Sequence, residues 1–257
     1  MNITFLGTGT SQGVPVIGCT CEICLSSNRR DKRLRCAALI QDGPSNILID
    51  GGPDIRYQLL RAGVTHLEAL LLTHEHYDHT GGLDDLRPLI FIKNEPLPIY
   101  LQRDVSEIIK LKYDYAFGEQ KYPGAPRFEL IEIQADTSFH IGSSYVKPLR
   151  VIHGELSILG YQINNKLAYI TDANQLPEST LKNIQGVEVL VINALHHRPH
   201  HSHFTLDQTL EVIKQVSPKS TYIIHMSHYM GLYEDVQAKL PQNVYLAYDQ
   251  LKLDLMV

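Results

Sequence analysis

The 257-residue chain has no apolar run near the roughly 20 residues needed to span a bilayer, which excludes a membrane-crossing helix. Its opening, Met1-Asn2-Ile3-Thr4-Phe5-Leu6, lacks a basic stretch followed by an apolar core. No secretory signal is therefore expected, and the expected location is the cytoplasm, without a membrane partner. Positive charge is not in excess either. With 23 Lys and Arg against 28 Asp and Glu, the net charge is −5, which argues against a general electrostatic grip on nucleic acid. Low-complexity linkers and internal repeats are absent, so nothing divides the chain. Cysteine is scarce: there are four, too few in a chain of this length and setting to imply a disulfide framework. Cys36, in Cys36-Ala37-Ala38-Leu39-Ile40, reads as a small buried hydrophobe. Cys19, Cys21 and Cys24 crowd together and read as metal-binding thiols.

What is present is a succession of short β-branched runs bounded by Gly, Pro, Asn and Asp. Examples are Ile3–Leu6, Ala37–Gln41, Asn46–Ile49, Ala69–Thr73, Tyr145–Val151, Leu167–Thr171 and Thr221–Ile224. Helical periodicity marks Asp54–Ala62, Arg103–Tyr113, Pro177–Asn183, Thr205–Val216 and Tyr229–Leu240. Asn164-Asn165, between two strand runs, predicts a hairpin turn. These features predict one domain over residues 1–257, of α/β class, with two packed sheets and helices outside them. An aromatic-rich insertion, about residues 113–127, has no clear period. It either packs on the sheet as a connector or covers the site as a lid.

The stretch Leu70-Leu71-Leu72-Thr73-His74-Glu75-His76-Tyr77-Asp78-His79 places three imidazoles and a carboxylate straight after an apolar strand. Neutral imidazole and carboxylate are the ligands that zinc, manganese and iron accept. Thr80-Gly81-Gly82 follows with backbone that allows close approach. His153, Asp172 and His225 each stand where a later apolar run stops, and with the first cluster they supply enough ligands for two ions. Gly18-Cys19-Thr20-Cys21-Glu22-Ile23-Cys24 gives C-x-C-x-x-C in a loop of about residues 18–25. A structural zinc needs a fourth ligand, and His228, near His225, fits best. The opening Gly7-Thr8-Gly9-Thr10-Ser11-Gln12-Gly13 is not a dinucleotide fingerprint, because three residues separate Gly9 from Gly13.

H-x-H-x-D-H followed by His, Asp and His at strand ends resembles the metallo-β-lactamase-fold hydrolases over nearly the whole chain. That resemblance implies a four-layer αββα sandwich with a dinuclear site along one edge. One divalent ion would take His74, His76 and His153; the other would take Asp78, His79 and His225, with Asp172 bridging. An aspartate at 172 implies hydrolysis of phosphoesters or thioesters. The G-T-G opening and the cysteine set with His228 are similar to the PhnP-type cyclic phosphodiesterases. The resemblance then implies two active-site divalent ions (zinc, manganese or iron), one structural zinc and a small phosphodiester substrate. It implies a water-derived nucleophile oriented by Asp78 and Asp172, with His203 as the general acid. His196 and His201, in the run His196-His197-Arg198-Pro199-His200-His201-Ser202-His203, are expected to bind substrate. The alternatives are an RNA or cyclic-nucleotide phosphodiesterase of the same fold, a thioesterase or lactamase, and a metal-binding protein without turnover. A homodimer is expected on general frequency alone.

Overall fold

The computed structural model describes residues 1–118 and 122–255. Among the described residues, fourteen strands form two seven-stranded sheets. In chain order they are β1 (Asn2–Gly7), β2 (Ala37–Asp42), β3 (Ser45–Ile49), β4 (Ala69–Leu71), β5 (Leu97–Leu101), β6 (Phe128–Glu132) and β7 (Phe139–Ile141). They continue as β8 (Ser144–His153), β9 (Leu156–Ile163), β10 (Leu167–Ile170), β11 (Val189–Asn193), β12 (Ser220–Ile224), β13 (Val244–Leu246) and β14 (Lys252–Asp254). The first sheet runs β14-β1-β2-β3-β4-β5-β6, and the second β13-β12-β11-β10-β9-β8-β7.

Side-chain alternation explains the layering. Along β3, Ile47 and Ile49 point between the sheets, where they meet Phe5, Leu159, Tyr161 and Tyr169; Leu48 points the other way. Leu70 and Leu72 also face outward, against the helices Ile55–Ala62 and Arg103–Lys112 through Leu59 and Ile109. The outer face of the second sheet is covered in the same way, Ile170 and Ile192 lying against Val216 of helix Leu206–Val216. Central strands such as β3, β10 and β11 bury both faces, so their runs read as almost continuously apolar. The result is the four-layer αββα sandwich. Among the described residues no helix is long and apolar enough to cross a membrane.

Local signals account for most boundaries. Helix Leu206–Val216 starts at a capping box, Thr205 accepting from Gln208 N while the Gln208 side chain accepts from Thr205 N. Asn164 and Asn165 take φ of 52° and 54°, as a tight hairpin between β9 and β10 requires. The helix expected over Tyr229–Leu240 is broken: a 3-10 turn at His228–Met230 ends at Gly231, whose φ is 107°, and the helix proper is Tyr233–Gln237. Only glycine holds that φ without strain. Strands β5, β6 and β7 add to the expected runs, none of which covers residues 97–101, 128–132 or 139–141. Of the insertion, residues 119–121 lie outside the described residues. Its remainder packs near the first histidine loop, Tyr113 Oη donating to Thr80 O at 2.6 Å.

Candidate metal centre

The histidine loop follows β4, and its neighbours follow β3, β10 and β12, so four strand ends of the two sheets converge. Asp50, Asp172 and His225, each directly after its strand or one residue on, hold φ of 62°, 58° and 56°. Left-handed backbone costs a non-glycine residue of order 1–2 kcal/mol, and such strain gathers at functional sites. The turn is further fixed by close backbone contact: a Cβ at Gly52 would lie 1.9 Å from Asp78 O, and one at Gly82 2.1 Å from Gly52 O. The loop and the Asp50-Gly51-Gly52 turn therefore interlock.

The expected ligands come together as two sets. His74, His76 and His153 offer nitrogens within 4.8 Å of one another, and so do the ligand atoms of Asp78, His79, Asp172 and His225. Asp172 stands between the sets. Its Oδ2 lies 3.2 Å from His225 Nε2 and 4.0 Å from both His74 Nε2 and His153 Nε2, and its Oδ1 is 3.4 Å from His79 Nε2. Asp78 Oδ2 lies 3.2 Å from His79 Nε2 and 3.5 Å from His225 Nε2. Ligands about 2.0–2.1 Å from a tetrahedral ion sit roughly 3.4 Å from each other, so the second set has the dimensions of an ion's shell.

Hydrogen bonding selects which nitrogens are free. His79 Nδ1 donates to Asp50 Oδ2 at 2.7 Å, His153 Nδ1 to Ser202 O at 2.8 Å, and His74 Nδ1 to Thr73 Oγ1 at 2.9 Å. Each leaves Nε2 facing the centre. Buried His79 Nε2 and both ring nitrogens of His225 make no hydrogen bond among the described residues, although Asp78 and Asp172 oxygens lie 3.2–3.5 Å from the two Nε2 atoms, the arrangement of groups that share an ion. These residues fit the expected pair of ions. His76 is exposed, so the first set opens to the surface, where a catalytic site needs a free position.

The charges agree. Burial opposes ionisation of Asp172, yet His225 and His79 hold its carboxyl well below the usual range. Asp78 is likewise held low against its burial by His79 and His225. Burial pushes His74 and His153 down, keeping them neutral as ligands must be. Burial acts the same way on His79, but Asp78, Asp172 and Asp50 outweigh it and hold this imidazole well above its ordinary value. A cation at Nε2 would take the place of that proton.

Asp50 escaped the sequence reading. Fully buried, it accepts from Thr73 N at 2.9 Å and from Thr73 Oγ1 as well as from His79. The signal was available, since Ile49-Asp50-Gly51-Gly52 repeats the pattern of an acid at an apolar strand's end. Asp50→Ala is expected to lower metal affinity or turnover by about 10–100-fold by freeing the His79 ring, the usual range for a residue that orients a metal ligand. Metal titration with a competing chelator checks this; unchanged affinity and turnover would assign Asp50 to folding alone.

Of the remaining residues, His203 lies in reach of the centre: Nε2 is 3.3 Å from Asp172 Oδ2, and its ring stacks on His225 at 4.9 Å and 12°. Burial, only partly offset by Asp172, brings its pKa down to about 4, so it is neutral at pH 7. His200 rather than His201 adjoins it, Nδ1 to Nδ1 at 3.1 Å; His201 is exposed, its ring 4.3 Å from that of His200. His196 is half-buried between His200 and Tyr229, at 6.1 and 6.2 Å.

The cysteine set also closes. His228 Nδ1 lies 3.4 Å from Cys19 Sγ, 3.3 Å from Cys21 Sγ and 3.5 Å from Cys24 Sγ. Zn–S and Zn–N bonds of about 2.3 and 2.0 Å at a tetrahedral angle put S and N roughly 3.5 Å apart, so the four atoms fit one zinc. Hydrogen bonds from Cys24 and then His228 lower the Cys21 thiol to about 6, whereas burial raises Cys24 to about 11. Cys21 thus gives up its proton first. Cys36 is buried in the inter-sheet core, its thiol pushed well up by that burial.

The model of the beta-lactamase superfamily domain matches residues 45–226. A crystal structure of a new diphosphatase from the PhnP family superposes with a TM-score of 0.91 at 35% identity, covering 98% of this chain and 96% of that one. Zn(2+)-bound PqqB from Methylobacterium extorquens shares the fold, with a TM-score of 0.81 at 19% identity over 99% of this chain and 100% of that one. The octanoyltransferase of Porphyromonas gingivalis is 40% identical over 98% of this chain and 51% of its own length. Ribonuclease Z of Bacillus cereus is 28% identical over 65% of this chain and 50% of its own length. The chain spans about half the length of these curated relatives.

Proposed function

The chain belongs to the beta-lactamase superfamily and within it to the PhnP family, and we propose that this hydrolase is a two-metal phosphodiesterase opening a cyclic phosphate or a similarly small phosphodiester. The observation that carries the reading is Asp172, one carboxylate within 4.0 Å of imidazoles from both ligand sets. Two divalent ions bound there would supply a nucleophile at neutral pH, lowering the pKa of water from 15.7 to about 7, and neutralise a phosphoryl oxygen.

The protein's own groups do the rest. Asp78 and Asp172, ionised at any pH near neutral, orient the attacking oxygen and balance the cations. Asp50, Thr73 and Ser202 lock the imidazole rings, so little reorganisation is left for the reaction. His203 enters the cycle neutral; an anionic diester beside it raises its affinity for a proton, which it takes from solvent and then gives to the departing sugar oxygen. His200 steadies the far side of that ring.

His203→Ala separates the two roles. Loss of the proton donor is expected to slow hydrolysis of a sugar diester by about 10²-fold or more, while bis(p-nitrophenyl) phosphate, whose nitrophenolate leaves unaided, falls much less. Retained metal content keeps the comparison valid. Equal losses on both substrates would assign His203 to phosphate binding, and no loss would hand the acid role to His200 or water.

The relative named octanoyltransferase favours a second reading, hydrolysis of an acyl thioester at the same centre. Assaying the metal-loaded protein with a five-membered cyclic phosphate, a tRNA precursor and an octanoyl thioester decides between them. Fastest turnover of the cyclic phosphate is expected; turnover of the thioester alone would overturn the phosphodiesterase reading. The proposal includes a cytoplasmic location and, on general frequency alone, a homodimer.

A further inference from the structure

We propose that a cleft between the N-terminal loop and helix Ile55–Ala62 is a second binding site, taking a phosphate-bearing small molecule. It encloses about 640 Å³ and is walled by Arg29, Lys32, Arg33, Arg61, Asp249 and Gln250. Four cations against one carboxylate give the walls a net charge of +3 in a chain of −5. None of the lining residues belongs to either metal cluster.

Arg33 sets this cleft apart from a solvated basic surface. Its side chain is only 5% exposed, yet it forms no ion pair among the described residues. Nη1 donates to Thr8 Oγ1 at 3.0 Å and Ala247 O at 2.7 Å, while Nε and Nη2 meet no acceptor among the described residues. The two acids nearby are already taken up: Asp249 accepts from Thr8 Oγ1 and Leu34 N, each at 2.8 Å, and pairs with Arg61 at 3.5 Å, while Asp31 accepts from Ser26 Oγ at 2.5 Å and Tyr233 N at 2.7 Å. A guanidinium whose remaining donors are left free at the wall of a cleft suits an anion, and phosphate is the ligand its fork fits best.

Further observations concern the same walls. Gln250, a lining residue, keeps a buried Nε2 without a hydrogen-bond partner among the described residues. Arg29, exposed, forms no side-chain hydrogen bond or ion pair among the described residues and is free to close over a bound anion. Tyr57, under the Arg61 guanidinium at 5.3 Å, gives the rim a flat face for an attached ring.

The test is titration of the zinc-loaded, full-length protein with inorganic phosphate, followed by calorimetry and by amide shifts in two-dimensional NMR. Shifts are expected at residues 32–34 and 249–250, separately from any at residues 74–79. Arg29→Glu should weaken this phosphate binding about fivefold or more, Arg29→Lys should restore most of it, and diester turnover without added phosphate should stay unchanged. Shifts confined to the metal loop, or phosphate affinity indifferent to Arg29→Glu, would overturn the proposal. Neither outcome depends on which ester the metal centre hydrolyses.

Discussion

Asp172→Asn is expected to slow diester hydrolysis by about 10³-fold or more and to lower the content of chelatable metal, with the fold intact. Asparagine keeps the shape of the side chain and tolerates the φ of 58° that this residue holds, so backbone strain is not the cause of the loss. What disappears is the negative charge that both ligand sets share. Without it His74 and His153 lose their link to His225 and His79, whose nitrogens all lie within 4.0 Å of the Asp172 carboxylate. Removing a single preorganised group from an electrostatic site typically costs about 10²–10³. Here the loss of an ion adds to that. Elemental analysis, a melting curve and initial rates on one preparation check the prediction. Full metal content with wild-type turnover would show that the two sets do not depend on a common carboxylate.

Cys24→Ser is expected to act on stability before chemistry. Structural zinc in small domains contributes an apparent 10–16 kcal/mol, and losing one of four ligands should forfeit about 4 kcal/mol of it. For a protein of this size each kcal/mol moves Tm by roughly 2–4 °C, so a fall of about 10 °C is expected, together with loss of the tightest-held zinc. The site matters to more than its own loop. Met226 N donates to Thr8 O at 3.1 Å and Thr10 N to Met226 O at 3.2 Å, tying the N-terminal loop to the segment that carries both His225 and His228. Some turnover is therefore lost as well, which makes Tm and zinc content the informative measurements. An unchanged Tm with zinc retained would mean that the three thiols and His228 meet without a metal.

The layering and the two ligand sets were legible in the sequence because they rest on local signals. An apolar run that stops at a ligand-type side chain marks a strand end at the site, and His74–His79, His153, Asp172 and His225 all follow that rule. Asp50 follows it too, yet its role as the acceptor that fixes His79 shows only when Thr73 and His79 are seen to donate to it. Strand β5 was hidden by Pro98, which has no N–H for a ladder and argues against a central strand, though β5 lies between β4 and β6. In β6, Glu129 and Glu132 masked a short parallel strand, and β7 is three residues at a sheet edge. The break at Gly231 gave way to an apparent helical period. That His203 adjoins the centre came from the resemblance and not from spacing, because it depends on how the loop folds. Arg33 was equally silent, since nothing in Lys32-Arg33-Leu34 announces a buried guanidinium.

The most direct measurement is metal content set beside hydrolysis of bis(p-nitrophenyl) phosphate, before and after chelation. Freshly purified protein should hold up to three ions per chain, two removed readily by a chelator and one, at the cysteines, resisting longer. Hydrolysis should vanish with the first two and return when zinc, manganese or iron is added back. Undiminished hydrolysis by protein stripped of all three metals would contradict the account.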